Sequence, residues 1–449
     1  MWTFLNWFVF LFGGAIGSIL LLFTLVSARE GERRAAGVAF GLAAACLSLY
    51  LVVGLGRIPI HDVAAWVLLL VPALLLVALL VPFGKSRLEL DAPQARIDER
   101  DIMFARSRLM PGSREYEAYY ARRPENKEID DRIRAAPGLF APASKQFHPF
   151  AIPAADASFA VIDLLREAAE GPEDETAVPV TPANITSLVK GLARHYGACD
   201  VGITELYDYH VYTHIGRGSG TYGAPIELDH PYAIAFTVEM SHAMLRRAPA
   251  APEAMEVSKQ YLSAAVIATQ LATFIRSLGY PARAHVDGNY RVVCPLVARD
   301  AGLGEIGRMG ILMTPRQGPR VRLGVVTTKL PLLPDRPSRD QAVVDFCRRC
   351  LKCAENCPSR SIPFGDRSVI DGVRRWQINS ETCFHYWNVI GTDCGKCMTV
   401  CPFSHPDNLL HNLVRWSIPR SPFARWASIR MDDLFYGRKP GALEIPDWL

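Results

Sequence analysis

The sequence predicts a membrane-anchored protein with an α/β or α+β core and a cysteine-dense domain toward the C-terminus. Three observations predict it. Long apolar runs fill the first 85 residues, helical and strand-like patterns alternate through the middle, and eight cysteines crowd into residues 347–401. At 449 residues the chain has room for more than one domain and a large core.

The N-terminus sets the anchor. Residues 3–28 carry no charge, residues 35–56 lie between Arg34 and Arg57, and residues 63–84 lie between Asp62 and Lys85. A helix rises about 1.5 Å per residue, so roughly 20 apolar residues cross the hydrocarbon layer. Each run is long enough, and residues 1–85 are expected to be a three-helix transmembrane anchor. The opening "MWTFLNWF" lacks the basic start and short apolar stretch of a cleavable signal peptide. The Arg33–Arg34 pair follows a full span, so it reads as flanking charge and not as an export signal. Arg29, Arg33, Arg34, Lys85 and Arg87 flank one side of the membrane and Arg57 alone the other. Basic residues favour the cytoplasmic side, so the expected location is a multi-pass inner-membrane protein with everything after residue 85 in the cytoplasm.

Composition changes sharply after Lys85. Residues 86–185 are expected to form a linker and N-terminal extension, with the charge-rich stretch 86–135 solvated and partly helical. "EGPEDETAVPVTP" (170–182) reads as a surface loop. A globular pattern follows over 186–340. "ITSLVKGLARHYGA" has helical spacing, and "CDVGITEL" and "YAIAFTVEM" read as short buried strands. "KQYLSAAVIATQLATFIRSLGY" (259–280) reads as a long helix stopped at Gly279, and "VRLGVVTTKLPL" (321–332) as a strand. Interleaved elements of this kind belong to mixed folds.

The cysteines carry the chemistry. "CRRCLKCAENCP" spaces them C-x2-C-x2-C-x3-C-P, and Cys383 to Pro402 repeats the pattern with a longer first gap, C-x10-C-x2-C-x3-C-P. Thiolates suit iron–sulfur clusters, each cubane takes four, and in two-cluster ferredoxins the fourth cysteine of such a run serves the other cluster. Crossing the ligands assigns Cys347, Cys350, Cys353 and Cys401 to one [4Fe–4S] cluster and Cys383, Cys394, Cys397 and Cys357 to the other. Structural zinc also uses C-x2-C pairs, but it needs neither the third cysteine of each run nor the closing proline. Residues 341–410 are therefore expected to be a two-[4Fe–4S] ferredoxin-like domain, with 411–449 an extension packing on the core. The other three cysteines, Cys46, Cys199 and Cys294, read as small buried hydrophobes.

The net charge of +4 is too small to argue for nucleic acid, and no DNA- or RNA-reading motif appears. Gly302, Gly304 and Gly307 match a bare G-x-G-x-x-G, but the strand before them and the acidic residue after them are missing, so no dinucleotide is inferred.

In order along the chain, "GACDVGI", "FIRSLGY", "AGLGEIGRMG", "TPRQGPRVRLGVVTTKLPL", "CRRCLKCAENCPSRSI" and "CFHYWNVIGTDCGKCMTVCPF" resemble the catalytic subunit of corrinoid-dependent reductive dehalogenases over roughly residues 190–440. The resemblance implies an α+β, nitroreductase-like core that binds a base-off cobamide, with the ferredoxin-like domain passing electrons to it. The cofactors implied are two [4Fe–4S] clusters and a cobamide, and the activity implied is replacement of a halogen by hydrogen. The partners are a small organohalide, an electron donor (ferredoxin, flavoprotein or quinol pool) and the lipid bilayer. Carried over residue by residue, the resemblance places the proton-donating tyrosine at Tyr261, its supporting arginine at Arg322 and a polar position at Asp287. Family members have other polar groups at that position, and a carboxylate there would repel an anionic substrate unless paired. A phenol donor gains acidity from an adjacent cation, which is the role expected of Arg322. Candidates for cobamide contact lie in the glycine-rich stretch 301–310. "DYHVYT" has Asp208 and His210 in the arrangement of a cobalt-binding motif, but Thr213 stands where glycine is needed, so His210 is expected to be a surface or pocket histidine. Two alternatives predict different things. An epoxyqueuosine-reductase relative would have a basic RNA-binding face and no membrane span. An electron-transfer module without its own substrate would hold clusters and no corrinoid.

Overall fold

The computed structural model describes residues 4–56, 61–82, 91–337 and 341–449, so Arg57, Lys85 and Arg87 of the predicted orientation lie outside the described residues. The chain divides into two compact units. One gathers Met1–Arg87, Asp340–Cys350 and Pro406–Gly441; the other holds Leu88–Arg339, Leu351–His405 and Ala442–Leu449.

In the first unit, the apolar runs form the helices α1 (Phe4–Arg29), α2 (Arg33–Gly54) and α3 (His61–Leu80), each long and apolar enough to cross a membrane. Small residues let α1 and α2 approach closely. A Cβ on Gly13 would come within 2.3 Å of the Tyr50 ring.

The second unit opens with three short helices, α4 (Met103–Arg106), α5 (Arg114–Arg122) and α6 (Lys127–Arg134), then α7 (Ala151–Glu167) and α8 (Pro182–His195). The expected solvated, partly helical stretch 86–135 does form helices over its described residues, but part of its charge is buried rather than solvated. Tyr116, Tyr119 and Tyr120 are buried, and Arg106, 3% exposed, reaches Asp130 at 2.7 Å. Charge in this stretch is paired inside the unit.

The core is a four-stranded antiparallel sheet of order β1-β2-β6-β3. Its strands are β1 (Asp200–Glu205), β2 (Tyr232–Glu239), β3 (Ala282–His285) and β6 (Val321–Thr328). Gly324 on β6 faces Phe236 on β2, where any Cβ would meet the ring at 2.1 Å. The short α9 (His242–Leu245) precedes the long α10 (Ala251–Ser277), which packs across the sheet through Ala264, Ala268, Leu271 and Ile275. It starts eight residues before the expected helix and stops, as expected, at Gly279, whose φ is +80°. The helix α11 (Cys294–Asp300) and the pairs β4 (Glu305–Ile306) with β5 (Leu312–Met313) fill out the core.

The cysteine-rich region contributes α12 (Ala342–Cys350) to the first unit. It gives α13 (Lys352–Glu355), β7 (Ser368–Ile370), β8 (Val373–Arg375), α14 (Ser380–Ile390) and α15 (Lys396–Thr399) to the second. Two last helices, α16 (Leu409–Ser417) and α17 (Pro422–Tyr436), correct the expectation for 411–449. α17 packs with α2, α3 and α12 in the first unit and α16 packs on α17, and only Ala442–Leu449 joins the second unit, where Leu449 packs near Ile152 and Ala251.

Candidate active site and cluster-binding loops

Tyr261 stands on α10 and Arg322 on β6, the strand on which α10 packs. The Arg322 guanidinium carbon lies 4.9 Å from the Tyr261 ring centroid, a cation–π distance. The structure therefore brings together the two residues that the resemblance paired. Their electrostatics differ from the expectation. Burial raises the phenol's pKa and outweighs the lowering by Arg322, so Tyr261 stays protonated more firmly than a free tyrosine.

Arg320 precedes Arg322 by two residues, and their environments separate them. Arg320 is 1% exposed and donates to Glu239 at 2.6 Å, to the Ser404 carbonyl at 2.9 Å and to the Met240 carbonyl. Arg322 makes one contact, Nη2 to Asp393 Oδ2 at 3.4 Å, and its Nε has no hydrogen-bond partner. Asp393 immediately precedes Cys394. Beside it, Glu253 is wholly buried, and burial and the facing Asp393 push its carboxyl well up. Neither Glu253 oxygen accepts a hydrogen bond. A proton on Glu253 resolves this, because it can then donate to Asp393. No motif or spacing pointed to Glu253. Asp393 could have been noticed as the acidic neighbour of a cluster cysteine.

Asp287 does not touch Tyr261, although its charge raises the phenol's pKa. Its carboxylate lies 3.9 Å from Arg166, which also donates to the Asp287 backbone carbonyl at 2.7 Å. The pairing that an acidic residue here requires is thus supplied from α7, more than a hundred residues earlier. Arg217, held by Glu99 at 3.1 Å, faces the Tyr290 ring at 5.9 Å, and its charge lowers the pKa of both phenols. His210 corrects another expectation. It is 0% exposed, its Nε2 meets Asp300 at 2.9 Å and its Nδ1 accepts from the Tyr207 N–H at 3.2 Å. With both ring nitrogens engaged it is a core histidine, not a surface or pocket one.

The thiols sort into groups. Cys397 lies within electrostatic reach of Cys394, Cys353, Cys383 and Cys357, and Cys383 within reach of Cys357. Cys357, Cys383, Cys394 and Cys397 are therefore neighbours, with Cys353 beside them, and their donor chemistry fits a cubane without deciding which thiols share one. Burial pushes the Cys394 thiol up to about 12 and the Cys383 thiol up to about 11. Such thiols become thiolates only when a cation compensates the charge. Among the described residues, no three His, Cys, Asp or Glu are gathered closely enough for a single ion. A four-iron cluster, with one thiolate at each corner, asks for no such convergence. Of the other four, Cys347 and Cys350 sit on α12 in the membrane unit and Cys353 and Cys401 in the catalytic unit, all buried. Cys294 is buried as expected and Cys46 half-buried, but Cys199 is exposed.

The glycines of 301–310 are taken up by the chain itself. A Cβ on Gly302 would meet the Arg336 carbonyl at 2.8 Å, and one on Gly304 the Met313 carbonyl at 2.2 Å. Arg308 is buried, donates to the carbonyls of Pro363 and Gly365 and stacks 4.7 Å from Trp376. This stretch shows internal packing and no open cradle.

Residues 346–405, which enclose all eight clustered cysteines, match the family described as 4Fe-4S dicluster domain. The tetrachloroethene reductive dehalogenase of Sulfurospirillum multivorans is 33% identical over 301 residues, covering 59% of this chain and 60% of the relative. A solved structure described as a reductive dehalogenase suggesting a mechanism for B12-dependent dehalogenation superposes with a TM-score of 0.63 at 26% identity. It covers 79% of this chain and 49% of the other. The epoxyqueuosine reductase of Staphylococcus aureus is 30% identical over only 121 residues, 24% of this chain. The chain is thus an iron–sulfur protein of the dicluster type, built on a mixed helix-and-sheet core. In sequence and fold it is similar to reductive dehalogenases, and it spans about half to three-fifths of the length of these relatives.

Proposed function

We propose that the chain is a membrane-anchored reductive dehalogenase that exchanges a halogen of a small organohalide for hydrogen. The observation that carries this reading is the Arg322–Tyr261 pair at 4.9 Å, in the same unit as the thiols of Cys357, Cys383, Cys394 and Cys397. An electron-transfer module has no use for a buried phenol under a cation. In this reading Cys347, Cys350, Cys353 and Cys401 hold one [4Fe–4S] cluster and Cys383, Cys394, Cys397 and Cys357 the other. The core is nitroreductase-like and binds a base-off cobamide near Tyr261. The fit is supported by the unspent Arg322 Nε and by the engagement of both nitrogens of His210, which leaves that histidine no lone pair for cobalt.

When bound, the corrinoid and clusters supply the two electrons that cleave the carbon–halogen bond. The rest falls to the chain. Halide leaves, and the Tyr261 phenol gives its proton to the carbon that has lost it. Arg322 stabilises the resulting phenolate, which recovers a proton from solvent. The net change is R–X plus two electrons and a proton to R–H and halide. Burial keeps Tyr261 protonated, so it yields its proton only to a strongly basic carbon centre. Asp287, paired to Arg166, shapes the polar edge of the site.

Arg29, Arg33 and Arg34 at the α1–α2 turn, with Lys85 and Arg87, support an inner-membrane location with the catalytic unit in the cytoplasm. Electrons would then come from a ferredoxin, a flavoprotein or the quinol pool. A cytoplasm-only fluorescent reporter fused after Leu449 should light up; activity of a periplasm-only phosphatase there reverses the orientation.

The deciding experiment is anaerobic purification with metal and corrinoid analysis beside halide-release assays on a panel of organohalides. About eight irons and one cobalt per chain are expected, with two four-iron clusters and one corrinoid. Stoichiometric zinc without acid-labile sulfide ends the reading, and clusters with no corrinoid would favour the electron-transfer module.

A further inference from the structure

We propose that α16 and α17 form an interfacial membrane-binding element, with their outer faces seated in the headgroup–acyl boundary of the bilayer. The inference rests on reading α1–α3 as membrane spans and extends it to a part of the chain that no apolar run marks.

The first observation is that α16 is inside out for a water-facing surface and that α17 exposes large apolar side chains beside it. On α16 the outward residues are Leu409, Leu413 and Trp416, at 81%, 55% and 46% exposure. The inward ones are His411, Arg415 and Ser417, all buried. On α17 the outward residues are Trp426, Arg430, Met431 and Leu434, while Arg425, Ser428 and Asp432 are buried beside Ala424, Ile429, Phe435 and Tyr436. The outward residues of α16 recur at spacings of four and three, one face of a helix. An exposed leucine alone means little; a helix pair with its polar residues turned in and large apolar ones turned out is the informative case.

His411, Arg415 and Arg425 are each held by hydrogen bonds or ion pairs within the unit, so the arrangement is built. His411 Nε2 meets Glu30 at 3.3 Å and Asn408 donates to the same carboxylate at 2.7 Å. Arg415 donates to the Pro406 carbonyl at 3.0 Å, and Arg425 to the Ile418 carbonyl at 3.1 Å while lying 3.7 Å from Asp345.

The second observation is position. The Ser421 hydroxyl donates to the Ala78 carbonyl in the last turn of α3 at 3.0 Å. Arg34 at the start of α2 donates to the Leu434 carbonyl at 3.4 Å. Phe435 packs edge-on against Phe23 near the end of α1, centroids 4.9 Å apart, and Tyr436 joins Ala35 and Ala39. So α17 runs across the bundle end where α1 finishes, α2 begins and α3 finishes. Phe23 lies six residues inside α1, about 9 Å from its charged end at the helix rise. That depth is the one at which interfacial helices bury their apolar faces, about 5–10 Å. Arg420, stacked on Trp416, and exposed Arg430 are suited to headgroup phosphates, and tryptophan is the residue enriched at this level. The bilayer already surrounding α1–α3 is thus continuous with this face, which selects lipid over a protein partner.

The test uses the full chain in phosphatidylethanolamine–phosphatidylglycerol vesicles carrying a phospholipid with a photoactivatable diazirine at a shallow acyl position. Labelled sites are mapped by peptide mass spectrometry. Label is expected on α1–α3 and on residues 409–434, and not on α5. The double variant Trp426→Glu/Leu434→Glu should lose most label from α17 while α1–α3 stay labelled and iron content is unchanged. Unlabelled 409–434 in vesicles where α1–α3 are labelled overturns the proposal. So does cross-linking that shows this face covered by a second copy or another protein. If α1–α3 are unlabelled as well, the anchor reading itself falls, and this inference with it.

Discussion

Two regions of the catalytic unit bury charge in opposite ways. The Arg106 guanidinium is fully spent: Nε and Nη2 bind Asp130 at 2.9 and 2.7 Å, Nη1 binds Glu381 at 3.0 Å, and Tyr120 donates to the same Asp130 at 2.8 Å. Around Tyr261 capacity is left over. Arg322 makes a single 3.4 Å hydrogen bond, its Nε finds no partner, and Glu253 is accommodated beside Asp393 only by taking a proton. Unsatisfied buried polar groups are costly, so a fold keeps them where something else uses them. The first region is a staple and the second the candidate site.

The contrast can be broken by experiment. The largest effect belongs to the staple. Asp130→Ala strands Arg106 in the interior and should cost about 3–5 kcal/mol of local stability. Amide hydrogen exchange of residues 103–134 would show it, with turnover per folded, cofactor-loaded molecule preserved. An equal loss of turnover would mean that the two regions are not separable. Next comes Tyr261→Phe, for which turnover should fall at least ~100-fold, the lower range for a lost general acid, with unfolding temperature and cofactor content unchanged. Near wild-type halide release would remove Tyr261 as the donor.

Acid gives a milder probe. Burial holds His285 well below its ordinary value, and the neighbouring His230 is lowered to about 4, chiefly by burial. Thr327 contacts both imidazoles, at 3.0 and 2.9 Å. The unfolded chain therefore takes up protons near pH 6.5 that the folded chain refuses. Stability should be full above that pH and decline as pH falls from about 6.5 toward 4, and His285→Gln should flatten the decline. A flat profile in the unaltered protein would contradict the burial. The smallest effect is reserved for the exposed Arg132–Glu128 pair at 3.1 Å, where Arg132→Ala should change nothing measurable in either stability or turnover.

These regions also differ in how well they can be read from sequence. The cysteines were legible because cluster ligation imposes short, local spacings. Tyr261 and Arg322 were legible only through resemblance, since nothing in "RVRL" itself distinguishes Arg322 from Arg320. Arg166 and Glu253 were not legible, because their partners come from distant parts of the chain. The stretch 86–135 was misread for a physical reason. Its charge looked solvated, but Arg106 and Glu99 are paired in the interior with Asp130 and Arg217. The C-terminal helices were misplaced because an amphipathic pattern defines two faces and does not say which one meets water.

Interleaving of the two units has a consequence for biosynthesis. Residues 34 and 434 meet in the membrane unit, 400 positions apart. At about 5–20 residues per second, roughly 20–80 s separate their emergence from the ribosome. For that interval the Ala35–Ala39 groove has no α17 to fill it, and the whole catalytic unit must be threaded out as an insertion before the gap can close. Neither unit can finish before this part of the chain appears, because α17 completes the first and Leu449 packs with Ile152 and Ala251 in the second. The seam of α1 and α2 is sealed only by a helix made some 400 positions later.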